Sequence, residues 1–240
     1  MISSIKVAVV IPTYNEAGNL ESLASELLSL PCAPHLVIVD DNSPDGTGDI
    51  AERLSASNPG RITVVHRDQK QGLGRAYIHG IRVALDLGTQ FIAQMDADHS
   101  HRPKDLQAMV NTAVSTDADL VLGSRYIPGG NTVGWPKHRL MISKFGSWYA
   151  GQVLRIPIRD LTGGFKVWRR ELLEKIDLPT IESDGYSFQI ETTWRAWKQH
   201  AHIEQVPIVF HDRIAGASKL SRTVVFEAGW VVWKLRFGKV

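Results

Sequence analysis

Two aspartates stand one residue apart directly after an apolar run, a position suited to binding a divalent cation. Asp96 and Asp98 flank Ala97 and follow the apolar residues 91–95. Carboxylate oxygens at a strand end make a hard-oxygen site of the kind that magnesium or manganese prefers. A cation held there can neutralise the negative charge that gathers on a departing diphosphate. The spacing therefore indicates metal-assisted chemistry, with a pair of solvated loop acids as the alternative.

A second acidic pair, Asp40 and Asp41, follows the apolar run 36–39. A carboxylate in this place can accept a hydrogen bond from a nucleobase N–H or a ribose hydroxyl. The same stretch also matches the loop positions of an EF-hand calcium site, with oxygen ligands at Asp41, Ser43, Asp45, Asp49 and Glu52 and a glycine at Gly46. Pro44 within the loop, and a strand where a helix is required, argue against the calcium site.

An alternation of apolar runs and helical patterns must position these acids. Short runs rich in β-branched residues occupy 7–11, 36–39, 62–65, 91–95 and 120–122. Helical patterns lie between them at 19–30, 47–57, 73–87 and from Pro103 toward Val114. This order predicts βαβ units around a parallel sheet buried on both faces. Because ligands bind at the carboxyl edge of such a sheet, we expect the polar clusters 12–16, 40–46 and 96–101 to converge.

Beyond Gly123 the alternation stops. A glycine-rich loop at 128–134 precedes a helical pattern from about 139 to 154, and a helix near 188–199 and a strand at 203–210 follow. No linker marks a second domain. We therefore predict one domain over 1–240, divided at about residue 123 and ending in an amphipathic helix over about 220–240.

Composition excludes several classes of protein. A formal net charge of +2 over 240 residues gives no reason to expect nucleic-acid binding. Cys32 is the only cysteine, so no intrachain disulfide can form and a reducing compartment is expected. The first residues lack the apolar region of a signal peptide, and no apolar stretch approaches the roughly 18 to 20 residues that span a bilayer. We expect a cytoplasmic protein whose membrane contact is peripheral.

Three stretches resemble family 2 glycosyltransferases in content, order and spacing: VIPTYNE at 10–16, VDDNSPDGT at 39–47 and MDAD at 95–98. GSRY at 123–126, DLTGGF at 160–165, and Asp212-Arg213 with GASK at 216–219 narrow the resemblance to dolichol or polyprenol phosphate mannose synthases. The resemblance implies an α/β fold of the GT-A type with a mostly parallel central sheet. It also implies inverting transfer of mannose from GDP-mannose to a dolichyl or polyprenyl phosphate, assisted by Mg²⁺ or Mn²⁺. Residues 1–123 would bind the nucleotide sugar and 124–220 the acceptor.

The same resemblance suggests roles for individual residues. The metal would lie between Asp96 and Asp98, with Ser100 where some relatives supply a further ligand. A serine hydroxyl is a poorer ligand than an amide oxygen, so His99 or His101 is an alternative. Contacts to the donor nucleotide would come from Pro12, Tyr14, Glu16, Val39, Asp40, Asp41, Asp96, Ala97 and Asp98. Acceptor phosphate and donor diphosphate would meet the basic residues Arg125, Arg139, Arg213 and Lys219.

A phosphate acceptor would remove the need for a catalytic base. A phosphomonoester has a second pKa of about 6 and carries about −1.5 to −2 charge at neutral pH, so its oxygen is already nucleophilic. Arg125 and Arg139 would position this anion while the metal and Arg213 stabilise the diphosphate. In-line displacement with inversion at the anomeric carbon would follow.

The last helical pattern carries two stripes on different faces. One is aliphatic (Val224, Val225, Ala228, Val231, Val232, Leu235) and the other aromatic (Phe226, Trp230, Trp233, Phe237). The aliphatic stripe is expected to pack on the domain while the aromatic one, flanked by Lys234 and Arg236, meets a membrane surface; burial of both faces is the alternative. Met141, Phe145 and Trp148 follow Arg139 and fit either a prenyl chain or ordinary core packing. An integral-membrane partner protein is a further possibility.

Three other functions compete. The same scaffold could use UDP-glucose, or it could be an inactive module that binds nucleotide or calcium. A dinucleotide-binding oxidoreductase is suggested only by the parallel-sheet pattern. The first strand leads into residues 12–16 without a G-x-G-x-x-G turn, which argues against that class.

Overall fold

The computed structural model describes residues 6–212 and 229–238 in full and the backbone of residues 222–228. Its strands are β1 (Val7–Thr13), β2 (His35–Asp40), β3 (Ile62–His66), β4 (Phe91–Gln94), β5 (Leu120–Ser124), β6 (Asn131–Val133), β7 (Lys166–Arg169), β8 (Ile203–Pro207) and β9 (Val209–His211). Its helices are α1 (Leu20–Leu28), α2 (Thr47–Ser57), α3 (Leu73–Asp86), α4 (Pro103–Ser115), α5 (Lys137–Leu154), α6 (Arg170–Lys175), α7 (Gly185–Lys198) and α8 (Arg222–Phe237). A 3₁₀ turn covers Leu178–Thr180.

Seven strands form the central sheet in the order β3-β2-β1-β4-β7-β5-β8. The first four are parallel, which confirms the predicted βαβ half. Strand β7, which no local pattern clearly predicts, lies antiparallel between β4 and β5. Strands β5, β7 and β8 thereby extend the sheet that the first half began.

The strand predicted over 203–210 is wrong as a single element. Residues Ile203–Pro207 pair with β5 in the main sheet, whereas Val209–His211 pair with β6 in a separate two-stranded sheet. The break falls at Ile208, whose side chain is buried against Gly123 and whose N–H donates to the carbonyl oxygen of Ser124 at 3.1 Å. At those contacts the pairing with β5 ends, and β9 continues into its pairing with β6.

Both faces of the sheet are covered, as an apolar strand pattern requires. Alternate residues of β1 enter different cores: Val9 packs with α1 and α4, and Val10 packs with α3 and α7. Helix α3 lies close enough to β1 and β2 that only a glycine fits at Gly80, where a Cβ would lie 2.8 Å from Val39 Cγ2. This close packing fixes the position of α3 against β1 and β2.

The ends of β1, β2 and β4 form one edge. Thr13 pairs with Asp40 in register, and Val10 pairs with Gln94, two residues before Asp96. The predicted convergence of the polar clusters at the carboxyl edge is confirmed by this register. Within the described ranges, no helix is long and apolar enough to cross a bilayer.

Candidate active site

The loop after β4 holds its two aspartates by bonds to different parts of the fold. Asp96 Oδ1 accepts a hydrogen bond from the buried Tyr77 hydroxyl at 2.8 Å, and the Asp96 N–H donates to His101 Nδ1 at 3.4 Å. Asp98 is 6% exposed, and its Oδ1 accepts the Ser100 N–H at 3.0 Å. Burial first, and then the neighbouring Asp96, raise the pKa of Tyr77 well above its ordinary value. The phenol therefore stays protonated and acts as a donor.

The residues at this loop fit a divalent cation. Ser100 is fully buried, and its Oγ makes no hydrogen bond. Buried polar atoms in proteins nearly always have a partner, so an unsatisfied oxygen beside a buried carboxylate indicates a ligand position. Among the residues that the structure describes, no three His, Cys, Asp or Glu side chains are grouped closely enough to hold a metal. Two carboxylates and a hydroxyl suit Mg²⁺ or Mn²⁺, because such ions take their remaining ligands from substrate phosphates and water.

The two alternative histidine ligands have other partners. His99 has a positive φ of 57°, and its Nε2 lies 2.8 Å from Ser22 Oγ on α1. The His101 ring is buried between Phe165, at 4.7 Å, and Phe210, at 5.2 Å. Burial lowers the pKa of His101, so the ring is neutral and its Nδ1 accepts the Asp96 N–H. His101 thus braces the aspartate loop, and Ser100 remains the better candidate for the third ligand.

The Asp40 carboxylate accepts its hydrogen bonds from neighbouring residues of the protein. Its Oδ1 accepts hydrogen bonds from Thr13 Oγ1 at 3.0 Å and Ser43 Oγ at 2.6 Å, and its Oδ2 accepts the Ser43 N–H at 3.1 Å. Asp40 is 2% exposed. It therefore ties the ends of β1 and β2 together, and direct contact with a nucleoside stays a prediction.

Asp41 and Tyr14 face a basic loop that sequence reasoning missed. Asp41 Oδ1 accepts a hydrogen bond from Arg67 Nη1 at 2.5 Å, and Lys70 Nζ lies 3.6 Å from the centroid of the Tyr14 ring. Burial raises the pKa of Asp41 although Arg67 opposes that rise. The available signal was a pair of basic residues directly after the third strand. The planar Tyr14 ring and these charges suit a nucleotide.

The other predicted donor residues line the same edge. Val39 is fully buried in β2, and Pro12 is half-buried at the end of β1. Glu16 Oε2 accepts a hydrogen bond from Asn19 Nδ2 at 2.8 Å, which orients the start of α1. Ala97 is buried between the two aspartates.

The EF-hand interpretation is wrong, because its ligand residues point to separate partners. Asp41 pairs with Arg67, and Glu52 pairs with His66 at 2.7 Å. Asp45 accepts the N–H of Ala17 at 3.1 Å and the N–H of Thr47, the first residue of α2, at 3.1 Å. These carboxylates organise the loop and leave no common centre for calcium.

Arg125 and Asp160 form a buried ion pair, with the Arg125 guanidinium carbon 5.3 Å from the centroid of the Trp135 ring. Asp160 Oδ2 accepts the Arg125 backbone N–H at 2.9 Å and Nε–H at 2.7 Å, and Oδ1 accepts Nη2–H at 2.6 Å. The two side chains are 4% and 0% exposed. Burial opposes the charge on Arg125, yet Asp160 raises its pKa above the ordinary value. Arg125 thus joins β5 to the DLTGGF segment, and its contact with acceptor phosphate stays a prediction.

Arg139 lies near the start of α5 and is held by Asp212, which belongs to a motif named above, and by Trp135, which sequence reasoning missed. Its Nη1 donates to Asp212 Oδ1 at 2.7 Å, and its guanidinium stacks 4.0 Å from the centroid of the Trp135 ring. Arg139 Nε and Trp135 Nε1 are both buried donors without a hydrogen-bond partner. An anionic oxygen would satisfy donors of this kind.

A row of aromatic rings connects the arginine side of the site with the aspartate side. Trp135 meets Phe210 edge-on at 5.4 Å, Phe210 meets His101 at 5.2 Å, and His101 bonds to the Asp96 backbone. Strand β9 supplies Phe210 and donates the His211 N–H to the Ser100 carbonyl oxygen at 3.1 Å. This row of contacts links the predicted metal residues to Arg139. Arg213 and Lys219 lie outside the described residues.

An exposed aromatic surface extends from the arginine side. We define it as Met141, Phe145 and Trp148 of α5 with Trp230, Trp233 and Phe237 of α8, which are 46% to 74% exposed. The Trp233 Nε1–H donates to the Tyr149 hydroxyl at 2.7 Å and joins the two helices. Val232 and Leu235 on the opposite face of α8 are buried, as predicted. Core packing of Met141, Phe145 and Trp148 is therefore wrong; Val224, Val225, Phe226 and Ala228 lie outside the fully described residues.

Known proteins match this chain over most of its length. Residues 8–177 match Glycosyl transferase family 2. The chain is 43% identical over 233 residues to the polyprenol monophosphomannose synthase of Mycolicibacterium smegmatis, covering 96% of this chain and 88% of that protein. It is 44% identical over 224 residues to the undecaprenyl-phosphate mannosyltransferase of Micrococcus luteus, covering 93% and 91% of the two chains.

A solved structure shares the fold at low sequence identity. Glucosyl-3-phosphoglycerate synthase from Mycobacterium tuberculosis, in complex with Mn²⁺, UDP-glucose and phosphoglyceric acid, superposes with a TM-score of 0.69 at 18% identity. The match covers 97% of this chain and 80% of that one. The fold is thus of the GT-A type, as expected. With its strand-end aspartates and its matched sequence range, the chain belongs to glycosyl transferase family 2.

Proposed function

We propose that this glycosyltransferase moves mannose from GDP-mannose to a dolichyl or polyprenyl monophosphate, with inversion at the anomeric carbon. The observation that carries the proposal is the juxtaposition of the Asp96–Asp98 loop with Arg139 across the rings of Phe210 and His101. That arrangement offers a cation site for a diphosphate next to a cationic site for a second phosphate. The mannose and the lipid rest on the relatives named above, which carry mannosyl and polyprenyl phosphate specificity in their names.

Asp96, Asp98 and Ser100 would hold Mg²⁺ or Mn²⁺. When bound, the cation supplies positive charge to a diphosphate leaving group. The fold relative described above holds Mn²⁺ together with its sugar nucleotide, which supports the same class of ion in this chain. Chelation with EDTA should abolish transfer, and added Mn²⁺ or Mg²⁺ should restore it.

Arg139 would bind the acceptor phosphate. Its stacking on Trp135 and its bond to Asp212 fix the plane of the guanidinium before any ligand arrives, so little side-chain freedom is lost on binding. A phosphate oxygen is already ionised at neutral pH, and no general base is needed. Arg125, whose guanidinium carbon lies 5.3 Å from the centroid of the same Trp135 ring, would also contact the acceptor phosphate. Arg213 and Lys219 are assigned to phosphate by resemblance alone.

The donor nucleotide would lie along the edge formed by Pro12, Tyr14, Glu16 and Asp41. UDP-glucose is the rival donor, because the M. tuberculosis fold relative binds it. Turnover of GDP-[¹⁴C]mannose and UDP-[¹⁴C]glucose on one preparation, with a polyprenyl phosphate acceptor, separates the two. Transfer from UDP-glucose alone would overturn the mannose assignment, and no transfer or donor hydrolysis would favour the inactive-module alternative.

The aromatic surface would lie against the cytoplasmic face of a membrane that contains the lipid acceptor. Exposed tryptophans and phenylalanines beside Lys144, Lys234 and Arg236 suit the boundary between lipid headgroups and acyl chains. Because α5 begins next to Arg139, such docking would bring lipid phosphates to the arginine. Residues 124–220 would then be the acceptor half and residues 1–123 the donor half.

Flotation with liposomes tests this docking. The double variant Trp230→Ser/Trp233→Ser should lose most of its association with vesicles that contain anionic lipid. Trp197→Ser on α7 is the matched control, since Trp197 is also exposed but lies outside the aromatic surface. Equal flotation of both variants and the unmodified protein would show that the aromatic surface does not mediate membrane binding. It would favour an integral-membrane partner instead.

A further inference from the structure

Tyr77 is a buried residue whose hydroxyl contacts the candidate metal loop. It lies on α3, is fully buried, and donates to Asp96 Oδ1 at 2.8 Å. A buried phenol needs an acceptor, and a backbone carbonyl would serve that need equally well. Here the acceptor is instead one of the two carboxylates that stand in the cation site.

The hydrogen bond restrains the one soft rotation of Asp96. The terminal torsion of an aspartate is broad and roughly two-fold, so an unheld carboxylate samples many orientations. The Asp96 backbone N–H also donates to His101 Nδ1 at 3.4 Å. With Tyr77 on Oδ1, the rotation of the carboxylate is restrained as well. A cation then meets an acid that is already oriented, as in sites where outer partners orient the ligands.

Tyr77 is itself held from a second helix. Its ring stacks parallel to Phe188 of α7, with centroids 6.1 Å apart and planes 2° apart. One turn earlier on α3, the Gly74 N–H donates to Asp184 Oδ1 at 2.7 Å. The phenol therefore has a defined position that does not depend on a ligand.

We propose that Tyr77 is a positioning residue for the metal site: its hydroxyl orients the Asp96 carboxylate for the divalent cation. The inference rests on the proposed function, because it takes Asp96 as a metal ligand. The Tyr77 hydroxyl acts through Asp96 in this proposal, so its effect should appear in metal binding rather than in an altered chemical step.

The test is Mn²⁺ titration followed by electron paramagnetic resonance, in the presence of GDP, on the Tyr77→Phe variant. Removal of the hydroxyl should weaken Mn²⁺ binding by about 10- to 100-fold, the usual cost of losing an outer partner of a ligand. Transfer activity should recover at saturating Mn²⁺ with kcat near that of the unmodified protein. Unchanged or tighter Mn²⁺ binding would overturn the proposal.

Two controls separate the hydroxyl from packing. Tyr126→Phe deletes a hydroxyl that donates to Ser143 Oγ at 2.7 Å and should leave Mn²⁺ binding unchanged. Phe188→Leu removes the ring stack that holds Tyr77 but keeps the hydroxyl, so it should lower thermal stability and weaken Mn²⁺ binding by less than Tyr77→Phe does. Weaker Mn²⁺ binding in Phe188→Leu than in Tyr77→Phe would overturn the positioning role of the hydroxyl.

Asp96→Asn distinguishes failure of this inference from failure of the proposed function. Normal Mn²⁺ binding in Asp96→Asn would show that Asp96 is not a metal ligand. Both the proposed metal site and the role of Tyr77 would then be wrong. Weak binding in Asp96→Asn with normal binding in Tyr77→Phe would refute the role of Tyr77 alone.

Discussion

Replacing Asp160 with asparagine should sharply destabilise the fold, because it leaves the buried charge of Arg125 uncompensated. The Asp160 carboxylate accepts three hydrogen bonds from Arg125, at 2.6, 2.7 and 2.9 Å, and its side chain has no exposed surface. Asparagine keeps the volume but replaces one acceptor oxygen by an amide that faces the guanidinium donors. The perturbation therefore removes charge and hydrogen bonds together with little change in packing.

The expected loss is about 3–5 kcal/mol, the usual cost of removing one partner of a buried ion pair. That is roughly two to three and a half orders of magnitude in the folding equilibrium. It is a large part of the roughly 5–15 kcal/mol by which proteins are stable. Asp117→Asn is the matched control: Asp117 pairs with Arg169 at the same 2.6 Å but is 91% exposed. Loss of this surface pair should cost no more than about 1 kcal/mol.

Urea unfolding followed by circular dichroism measures the difference, read from the midpoint at constant slope. A loss below about 1 kcal/mol in Asp160→Asn would refute the reasoning, since a pair with no exposed surface would then behave like a surface pair. The double variant Arg125→Met/Asp160→Asn removes the buried cation and keeps a side-chain oxygen for the backbone N–H of residue 125, so it should recover most of the stability. Its transfer activity also tests the acceptor assignment: a stable but inactive double variant supports phosphate contact by Arg125, and a stable active one refutes it.

Four further changes have defined outcomes. Asp98→Ala and Arg139→Ala should each abolish transfer while the folded protein is retained in circular dichroism, and near-normal turnover in either would make that role assignment wrong. Gly80→Ala should destabilise the protein by about 1–3 kcal/mol in urea unfolding, because the added methyl lies 2.8 Å from Val39 Cγ2; an unchanged midpoint would show that α3 can shift. Ser100→Ala should raise the stability of the metal-free protein by about 1–3 kcal/mol, since it deletes an unsatisfied buried hydroxyl, while reducing the thermal shift that Mn²⁺ produces. A full Mn²⁺ shift in Ser100→Ala would exclude the hydroxyl as a ligand.

The parallel half of the fold was accessible from local sequence because each element there depends on near neighbours. Apolar runs of strand length, separated by helical patterns, indicate βαβ units, and such units bring their strand ends to one edge. Asp96 and Asp98 could therefore be placed beside residues 12–16 without coordinates. The basic positions Arg125 and Arg139 followed only from resemblance, since a single arginine in a loop carries no sign of its partner.

Tertiary structure decided which of those residues are held and by what. The antiparallel strand β7 and the divided strand at Ile208 depend on contacts across the sheet, which no local pattern encodes. Asp160 lies 35 residues from Arg125 and Asp212 lies 73 from Arg139, so both pairings are set by the folded chain. The amino-acid sequence determined the chemical groups and the edge at which they gather. Only the packing of α3, α7 and β9 determined that Tyr77, His101 and Trp135 orient them, because orientation comes from contacts between elements distant in sequence.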